Sequence, residues 1–400
     1  MIQDEIRALQ LSAFFRRHFD SEPLIVVRAP GRVNLLGEHT DYNEGFVLPM
    51  AIDRSILVAA CPRPDRLVTV WSANYHRSLS FSLDETGSLG KNGTPTRDKF
   101  SNYLRGVARC IEARGYKLHG LNAAIEGNVP VGSGLSSSAA LEVAVVLAFE
   151  SVSGLSIPGP EKARIGQQTE NEYLGVQSGL MDQLVSVWAQ KDHAVLIDCR
   201  TLSHELVSMS ALGAKVVVCD SGVRRSLDKS QYNLRREECL AGVRTLSEHK
   251  PEVKSLRDVS SVDLDFYASA LPEVVQRRCR HVVNENERVL EGVAALRRRD
   301  VSSFGDLMYA SHKSLRDLYE VSCRELDLLV ECAMRVDGVM GSRMTGAGFG
   351  GCTVSLVDSE TVDEFKYRVG RDYRDATGRE ARIWVCQPSE GAGALALAND

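Results

Sequence analysis

No stretch of this chain is apolar for the eighteen or so residues that a membrane helix needs, and the N-terminal residues lack the basic start and apolar core of a secretory signal. The expectation is a cytoplasmic protein without a membrane partner. Long blocks of one charge are also missing: 48 Lys and Arg face 53 Asp and Glu, for a net charge of −5. That balance offers no nucleic-acid footprint and no polybasic patch. Ten cysteines are scattered without a Cys-x-x-Cys pair or a neighbouring Cys/His set, which argues for reduced thiols rather than a zinc site or disulfide framework. Asn92-Gly93-Thr94 is a glycosylation sequon that reads, without secretion, as a turn.

What is present is a mixed α/β pattern in 400 residues, enough for two or three domains at roughly 150 residues each. Apolar spacing predicts helices over Ile6–Phe19, Lys99–Arg114, Ser136–Ser151, Glu161–Leu174, Ser230–Leu246, Val274–Arg298 and Ser303–Tyr319. Strands are predicted at Leu24–Val27, Phe46–Leu48, Ile56–Ala60, Leu67–Trp71, Leu121–Glu126, His193–Asp198, Ala214–Cys219, Thr353–Val357 and Ile383–Val385. A polar join near residues 200–212 suggests a division into 1–205 and 206–400.

Arg28–Ile52 holds the densest set of chemistry-bearing residues. Arg32, Glu38, His39 and Asp41 place a cation, two carboxylates and an imidazole within ten positions, on what reads as a loop between core strands. Such a set suits a small polyhydroxy ligand, although Asp-Tyr-Asn-Glu-Gly also occurs in ordinary surface turns. Gly132-Ser133-Gly134-Leu135-Ser136-Ser137-Ser138 lies between a predicted strand and a predicted helix. Small residues there admit a phosphate to the backbone, and the N–H groups and dipole of a helix start favour negative charge. The same run equally reads as a plain helix cap. It is not a Walker loop, since no Gly-Lys-Ser/Thr closes it and no lysine occurs between Lys117 and Lys162. The neutralising charge must come from elsewhere.

Gly346–Gly351 matches G-x-G-x-x-G, but Cys352–Val357 is a strand pattern where the dinucleotide fingerprint demands a helix, so a Rossmann dehydrogenase is excluded. Glu170 sits in a predicted helix, and Asp182 follows a Gly-bearing break near apolar neighbours, where a lone acid also reads as a cap.

Arg28–Ile52 resembles the galactokinase signature, within the GHMP family of small-molecule kinases. The resemblance recurs in family order at Gly127–Ala144, Glu170–Gln183, Ser230–Cys239 and Met344–Val354. It implies a two-domain GHMP-kinase fold, with an N-terminal ribosomal-protein-S5-like domain and a C-terminal ferredoxin-like domain. It implies ATP-dependent phosphorylation of galactose at the anomeric hydroxyl, with Mg²⁺ as cofactor, by a monomer or weak homo-oligomer.

By the same resemblance Glu38, His39, Thr40, Asp41, Gly179 and Tyr232 hold the sugar, and Gly132–Ser138 (Gly132, Ser133, Gly134, Leu135, Ser136, Ser137 and Ser138) wraps ATP with a weaker contribution from Ser72. Ser138 and Glu170 set Mg²⁺. Asp182 acts as base and Arg32 stabilises charge, and the glycine loop 346–351 closes over the site and buttresses the phosphates. Ser133 replaces the family's usual third glycine, and Phe100 stands where a tryptophan is common. Two rival readings stay open: a kinase for a related sugar such as N-acetylgalactosamine, and a non-catalytic galactose and ATP sensor. The intact Ser136-Ser137-Ser138-Ala139 run speaks against the sensor.

Overall fold

The structure is a computed structural model that describes residues 2–85, 98–210, 212–224 and 229–396; the Asn92 sequon lies outside them. Its first part runs α1 (Ile2–Phe19), β1 (Ile25–Leu36), β2 (Phe46–Arg63), β3 (Leu67–Ser72), β4 (Arg77–Ser82), α2 (Lys99–Glu112), β5 (Gly120–Gly127), α3 (Ser137–Val152), α4 (Gly159–Gln168), α5 (Met181–Trp188), β6 (His193–Asp198) and β7 (Ser203–Ser208). The rest runs β8 (Ala214–Asp220), α6 (Lys229–His249), α7 (Ser261–Phe266), α8 (Glu273–Arg297), α9 (Val301–Asp317), α10 (Arg324–Met334), β9 (Val339–Thr345), β10 (Cys352–Asp358), α11 (Val362–Thr377), β11 (Arg382–Cys386) and β12 (Gly393–Leu395).

An eight-stranded sheet has the path β12-β1-β2-β5-β3-β4, with β6 branching from β2 to β7. Its pairs are antiparallel except β3 with β5. β2 is buried along most of its length, as a central strand covered on both faces must be. Against it packs α3, apolar on nearly every side and buried from Ala139 to Phe149, the pattern of a helix enclosed by protein. The second sheet is antiparallel in the order β11-β8-β10-β9. With its helices it forms the split β-α-β arrangement implied by the resemblance. One apolar cluster joins Val58 and Phe149 through Leu36 and Val289 to Val216 and Leu356, so the two sheets share a core.

Phe46–Leu48 and Ile56–Ala60, expected as separate strands, are the ends of one strand, β2. The Asp53-Arg54 pair reads as a break, yet Asp53 is exposed and Arg54 half-buried where β2 passes the register shift between Pro30 and Arg32 of β1, so the strand runs through. Arg28 and Arg32, expected on a loop, belong to β1, whose register slips between Pro30 and Arg32 and between Asn34 and Leu36. Such bulges re-aim side chains at the rim of a site. The helix expected over Glu161–Leu174 is α4 followed by a π-helical turn, Thr169–Leu174, which ends at Gly175 with φ 68°. β4, β7, β9, β12, α5, α7, α10 and α11 match none of the patterns predicted from sequence. All ten cysteines are free.

We propose the division after residue 205, which falls within β7, just before the join to β8. The chain end crosses it: β12 pairs with β1, and Ile52 bridges Pro388.

Candidate active site

The residues between β1 and β2 form a tight loop. Gly37, His39 and Glu44 take φ of 98°, 63° and 59°, the left-handed region that ordinary residues avoid. Thr40 fixes the bend: its hydroxyl donates to the carbonyls of Gly37 (2.9 Å) and Phe46 (2.6 Å), while its own carbonyl accepts from Asn43 and Gly45. The loop thereby turns Glu38, His39 and Asp41 toward one cavity.

Glu38 is almost wholly buried and accepts from Asn34 Nδ2 at 2.9 Å and from the backbone N–H of Gly346 at 2.6 Å. Burial raises its pKa, opposed by the guanidinium groups of Arg343 and Arg32. His39 Nε2 lies 3.2 Å from the carbonyl of Ala347 and Nδ1 lies 2.7 Å from Tyr42 Oη. A carbonyl only accepts, so in the neutral imidazole Nε2–H donates to Ala347 and Nδ1 accepts from Tyr42. Tyr42 Oη in turn lies 2.8 Å from Tyr319 Oη, and the Tyr232 ring packs 5.5 Å from those of His39 and Tyr42. Asp41 is pushed up to about 7 by burial, with the Asp182 carboxylate adding to the rise. A Cβ on Gly179 would lie 1.9 Å from Asp41 Oδ2, so only glycine lets the segment before α5 pass there.

Asp182 stands in the first turn of α5, where the open backbone N–H groups favour a carboxylate. Arg32 grips it with two bonds, Nε to Oδ1 at 2.8 Å and Nη2 to Oδ2 at 2.7 Å, and Ser136 Oγ donates to Oδ2. The third guanidinium nitrogen donates to Gly134 O at 2.5 Å. One arginine thus ties the acid to the glycine-serine loop. Glu170, in the π-helical turn, accepts from Ser178 Oγ at 2.5 Å, and the Ser138 hydroxyl also favours its charged form. Burial raises its pKa, with these hydroxyls acting in the opposite direction.

The glycine-serine loop joins β5 to α3. Gly132 and Gly134 take φ of 72° and 85°, and Ser136 takes 58° at the helix start. Gly132, Gly134, Ser136, Ser137 and Ser138 line a second cavity with Ser72, Asn74, Lys99, Phe100 and Arg224. Tyr75 lies on its wall with its ring 5.4 Å from that of Phe100.

Arg32, Glu38, His39, Asp41, Glu170, Gly179, Asp182 and Tyr232 meet at the first cavity, and the two cavities share Arg32, Tyr103, Ser138 and Asp182. Three expected contacts stand elsewhere. Thr40 spends its hydroxyl on loop carbonyls, Ser133 donates to Pro130 O at 2.8 Å, and Leu135 is a core side chain whose carbonyl accepts from Arg32 N. The glycine loop between β9 and β10 brings Gly346, Ala347 and Phe349 to the first cavity, on the side of Glu38 and His39 rather than against the glycine-serine loop. Sequence reasoning missed Tyr103, taken for one of the apolar positions of α2. It also missed Lys99 and Arg224, two further cations beside Arg32 on the wall of the second cavity, which no local pattern marked.

Comparison with known proteins bears on the arrangement. A galactokinase galactose-binding signature matches residues 13–62, a GHMP kinases N terminal domain residues 102–190, and a GHMP kinases C terminal domain residues 293–375. A galactokinase from Roseiflexus sp. (strain RS-1) is 49% identical over 384 residues, 96% of each chain. One from Chloroflexus aggregans is 47% identical over 383 residues, again 96% of each chain. Among solved structures, Lactococcus lactis galactokinase complexed with galactose superposes with a TM-score of 0.91 at 35% identity, covering 97% of this chain and 99% of its own.

Proposed function

The chain belongs to the galactokinase family of the GHMP kinases, and from that membership we infer that it transfers the γ-phosphoryl group of ATP to the anomeric hydroxyl of α-D-galactose, giving galactose 1-phosphate and ADP. The observation that carries the reading at residue level is the seam: two cavities meet at Arg32, Ser138, Asp182 and Tyr103. Phosphoryl transfer asks chiefly for two substrates in line and for charge placed around the moving group. A donor and an acceptor seated in adjoining cavities satisfy the first demand.

In this reading Glu38, His39, Asp41 and Tyr232 orient the sugar, and Gly179 leaves room for Asp41. Asp182 receives the proton of the attacking hydroxyl. Arg32, already bonded to both Asp182 oxygens, holds that carboxylate in place and adds positive charge beside the transferring group. Gly132, Gly134 and Ser136–Ser138, with Ser72 beyond them, cradle the triphosphate at the start of α3, and Lys99 and Arg224 supply the charge that the loop lacks.

A kinase of this family uses a nucleotide with Mg²⁺ as its usual partner ion, and the donor set fits. Ser138 and Glu170 both offer hard oxygens on the wall of the first cavity, and Mg²⁺ needs only one or two protein groups because waters and phosphates complete its shell. When bound, the ion would neutralise phosphate charge. Among the described residues no helix is long and apolar enough to cross a membrane. We assign the enzyme to the cytoplasm.

The test is a sugar panel followed by ADP release. Galactose should give a higher kcat/KM than N-acetylgalactosamine, whose 2-acetamido group the site must admit, and than glucose, because inverting one hydroxyl leaves buried polar groups of the loop unpaired at a cost of roughly 1–3 kcal/mol each. A better turnover with N-acetylgalactosamine would overturn the assignment.

A further inference from the structure

The loop that presents Glu38, His39 and Asp41 is held from behind by a helix of the other half of the chain, and His281, Glu285 and Asn286 of that helix do not line the cavity. Glu285 on α8 has no exposed surface. Its Oε1 accepts from the backbone N–H of Gly37 at 2.9 Å, from Ser311 Oγ at 2.6 Å and, at 3.4 Å, from the N–H of Glu38. Its Oε2 accepts from Arg288 Nε at 2.7 Å. Burial would push this carboxyl up, but Arg288 and Arg343 hold it well below the usual carboxylate range.

Four residues earlier, His281 Nε2 lies 3.1 Å from the carbonyl of Glu38 and Nδ1 lies 2.8 Å from Ser314 Oγ. Burial pushes His281 down to about 4, so the ring is neutral, with Nε2–H donating to Glu38 and Nδ1 accepting from Ser314. One residue beyond Glu285, Asn286 Oδ1 accepts from the N–H of Phe46 at 2.8 Å, where the loop ends. The i, i+4 spacing puts His281 and Glu285 on one helix face, and Asn286 follows Glu285 roughly 100° further round. They take hold of the loop at its first residues and at its last.

Two further observations show why a clamp is needed. His39 and Glu44 occupy left-handed backbone conformations that persist only where surroundings impose them. Arg343 on β9, with no exposed surface, lies 3.7 Å from Glu38 and 3.9 Å from Glu285, and its guanidinium makes no hydrogen bond within the protein. Two carboxylates, Glu38 and Glu285, therefore share one buried cation.

We propose that α8 is a positioning device for sugar recognition: Glu285, His281 and Asn286 hold Gly37–Phe46 in the shape that presents Glu38, His39 and Asp41, and so set galactose affinity and epimer discrimination without touching the sugar. The proposal rests on the reading that those loop residues bind the sugar, and it assigns Glu285 the largest share.

The experiment compares Glu285→Gln, Asn286→Ala and, as a control on the loop itself, Glu38→Gln. For each, galactose Kd is measured by calorimetry, ATP KM and the galactose-to-glucose ratio of kcat/KM by ADP release, and folding by cooperative melting. Glu285→Gln should raise galactose Kd about tenfold or more, the loss expected of a hydrogen bond to a charged group, and Asn286→Ala about threefold to tenfold. The epimer ratio should fall in both, while ATP KM stays within about twofold, because the clamp touches no part of the phosphate loop. If Glu285→Gln does not fold, Asn286→Ala decides alone. Folded variants with unchanged galactose Kd, or with galactose and ATP weakened together, would overturn the proposal. If Glu38→Gln itself leaves galactose Kd unchanged, the sugar-loop reading falls and the clamp with it; a loss in Glu38→Gln alone sinks only the clamp.

Discussion

The two loops that build the site are made in opposite ways. The sugar-side loop is buried, with Glu38 at 1% and Thr40 at 0% exposure, and is bonded to itself, to α8 and to the glycine turn after β9. The phosphate-side loop is short of charged groups and partly bare: Val131 is 63% exposed, and Ser133 and the Arg32 guanidinium tie down its carbonyls. The difference follows from what each must recognise. Telling one hydroxyl configuration from another requires polar groups whose positions cannot adjust, since a mobile group would satisfy either epimer. Holding a triphosphate requires backbone N–H groups, a helix dipole and space, which glycine and serine supply with little support. Substitutions should therefore act steeply where the loops meet and on the sugar side, and gently on the phosphate side.

The largest effect belongs to the seam. Asp182→Asn keeps the size of the side chain but removes its capacity to accept a proton, and general-base help is typically worth about 10²–10⁴ in rate. We expect kcat to fall at least about 10² with much smaller changes in the dissociation constants of galactose and ATP. Arg32→Ala separates base catalysis from charge stabilisation. If the arginine variant is the more damaged and Asp182→Asn keeps more than about a tenth of kcat against that general-base loss, the carboxylate is a positioning group and the charge carries the reaction.

A smaller effect distinguishes the loops by pH. Asp41, raised to about 7, keeps its proton in the folded protein across a range where the unfolded chain has lost it. Between about pH 4 and 7 the native state thus binds more protons than the unfolded state, and stability falls as pH rises through that window, then levels off. Glu38 and Glu170 are shifted in the same direction, so only a difference isolates Asp41. The melting midpoint of Asp41→Asn relative to the unaltered protein should climb from about pH 5 to 7 and be flat above about 8. Gly132–Ser138 contains no titratable carboxylate or imidazole, so Ser137→Ala should show no such slope. A pH-independent difference for Asp41→Asn would mean that the carboxyl is ordinary.

The same contrast explains what could be read from sequence. Glu38, His39, Asp41 and Asp182 were visible because charged and glycine residues crowd between apolar runs, and the glycine-serine loop was visible from its place before a helix. The clamp was not. Glu285 sits in a helix that apolar spacing predicts but whose charges read as solvent-facing, and Arg343 lies in a strand whose Gly341 and Ser342 leave it without a periodic signal. Their meaning arises from contacts that span 248 residues for Glu285 and Gly37 and 308 for Gly346 and Glu38. Tyr103 falls on the apolar face of the helix that spacing predicts over Lys99–Arg114, and an aromatic there looks the same whether it faces a cavity or a neighbour. β2 was divided because Asp53-Arg54 interrupts its pattern, and β12 is three residues long, too short for any period.

The smallest effect tests the tolerance of the phosphate side directly. Ser133 stands where the resemblance implies a third glycine, and its hydroxyl donates to Pro130 O at 2.8 Å with no exposed surface. It closes the loop on itself and does not face the cavity. Ser133→Gly removes one hydrogen bond worth about 0.5–1.5 kcal/mol and adds chain freedom worth about 0.4–1 kcal/mol to the unfolded state. Stability should drop by about 1–2 kcal/mol, visible as a melting midpoint a few degrees lower. Because the loop binds through its backbone, ATP KM should stay within about twofold and galactose KM should not move. The opposite pattern, an intact melting midpoint with ATP KM raised about tenfold, is what loss of a direct phosphate donor would produce. That outcome would place the Ser133 hydroxyl on the nucleotide and make the phosphate loop as dependent on a single side chain as the sugar loop is.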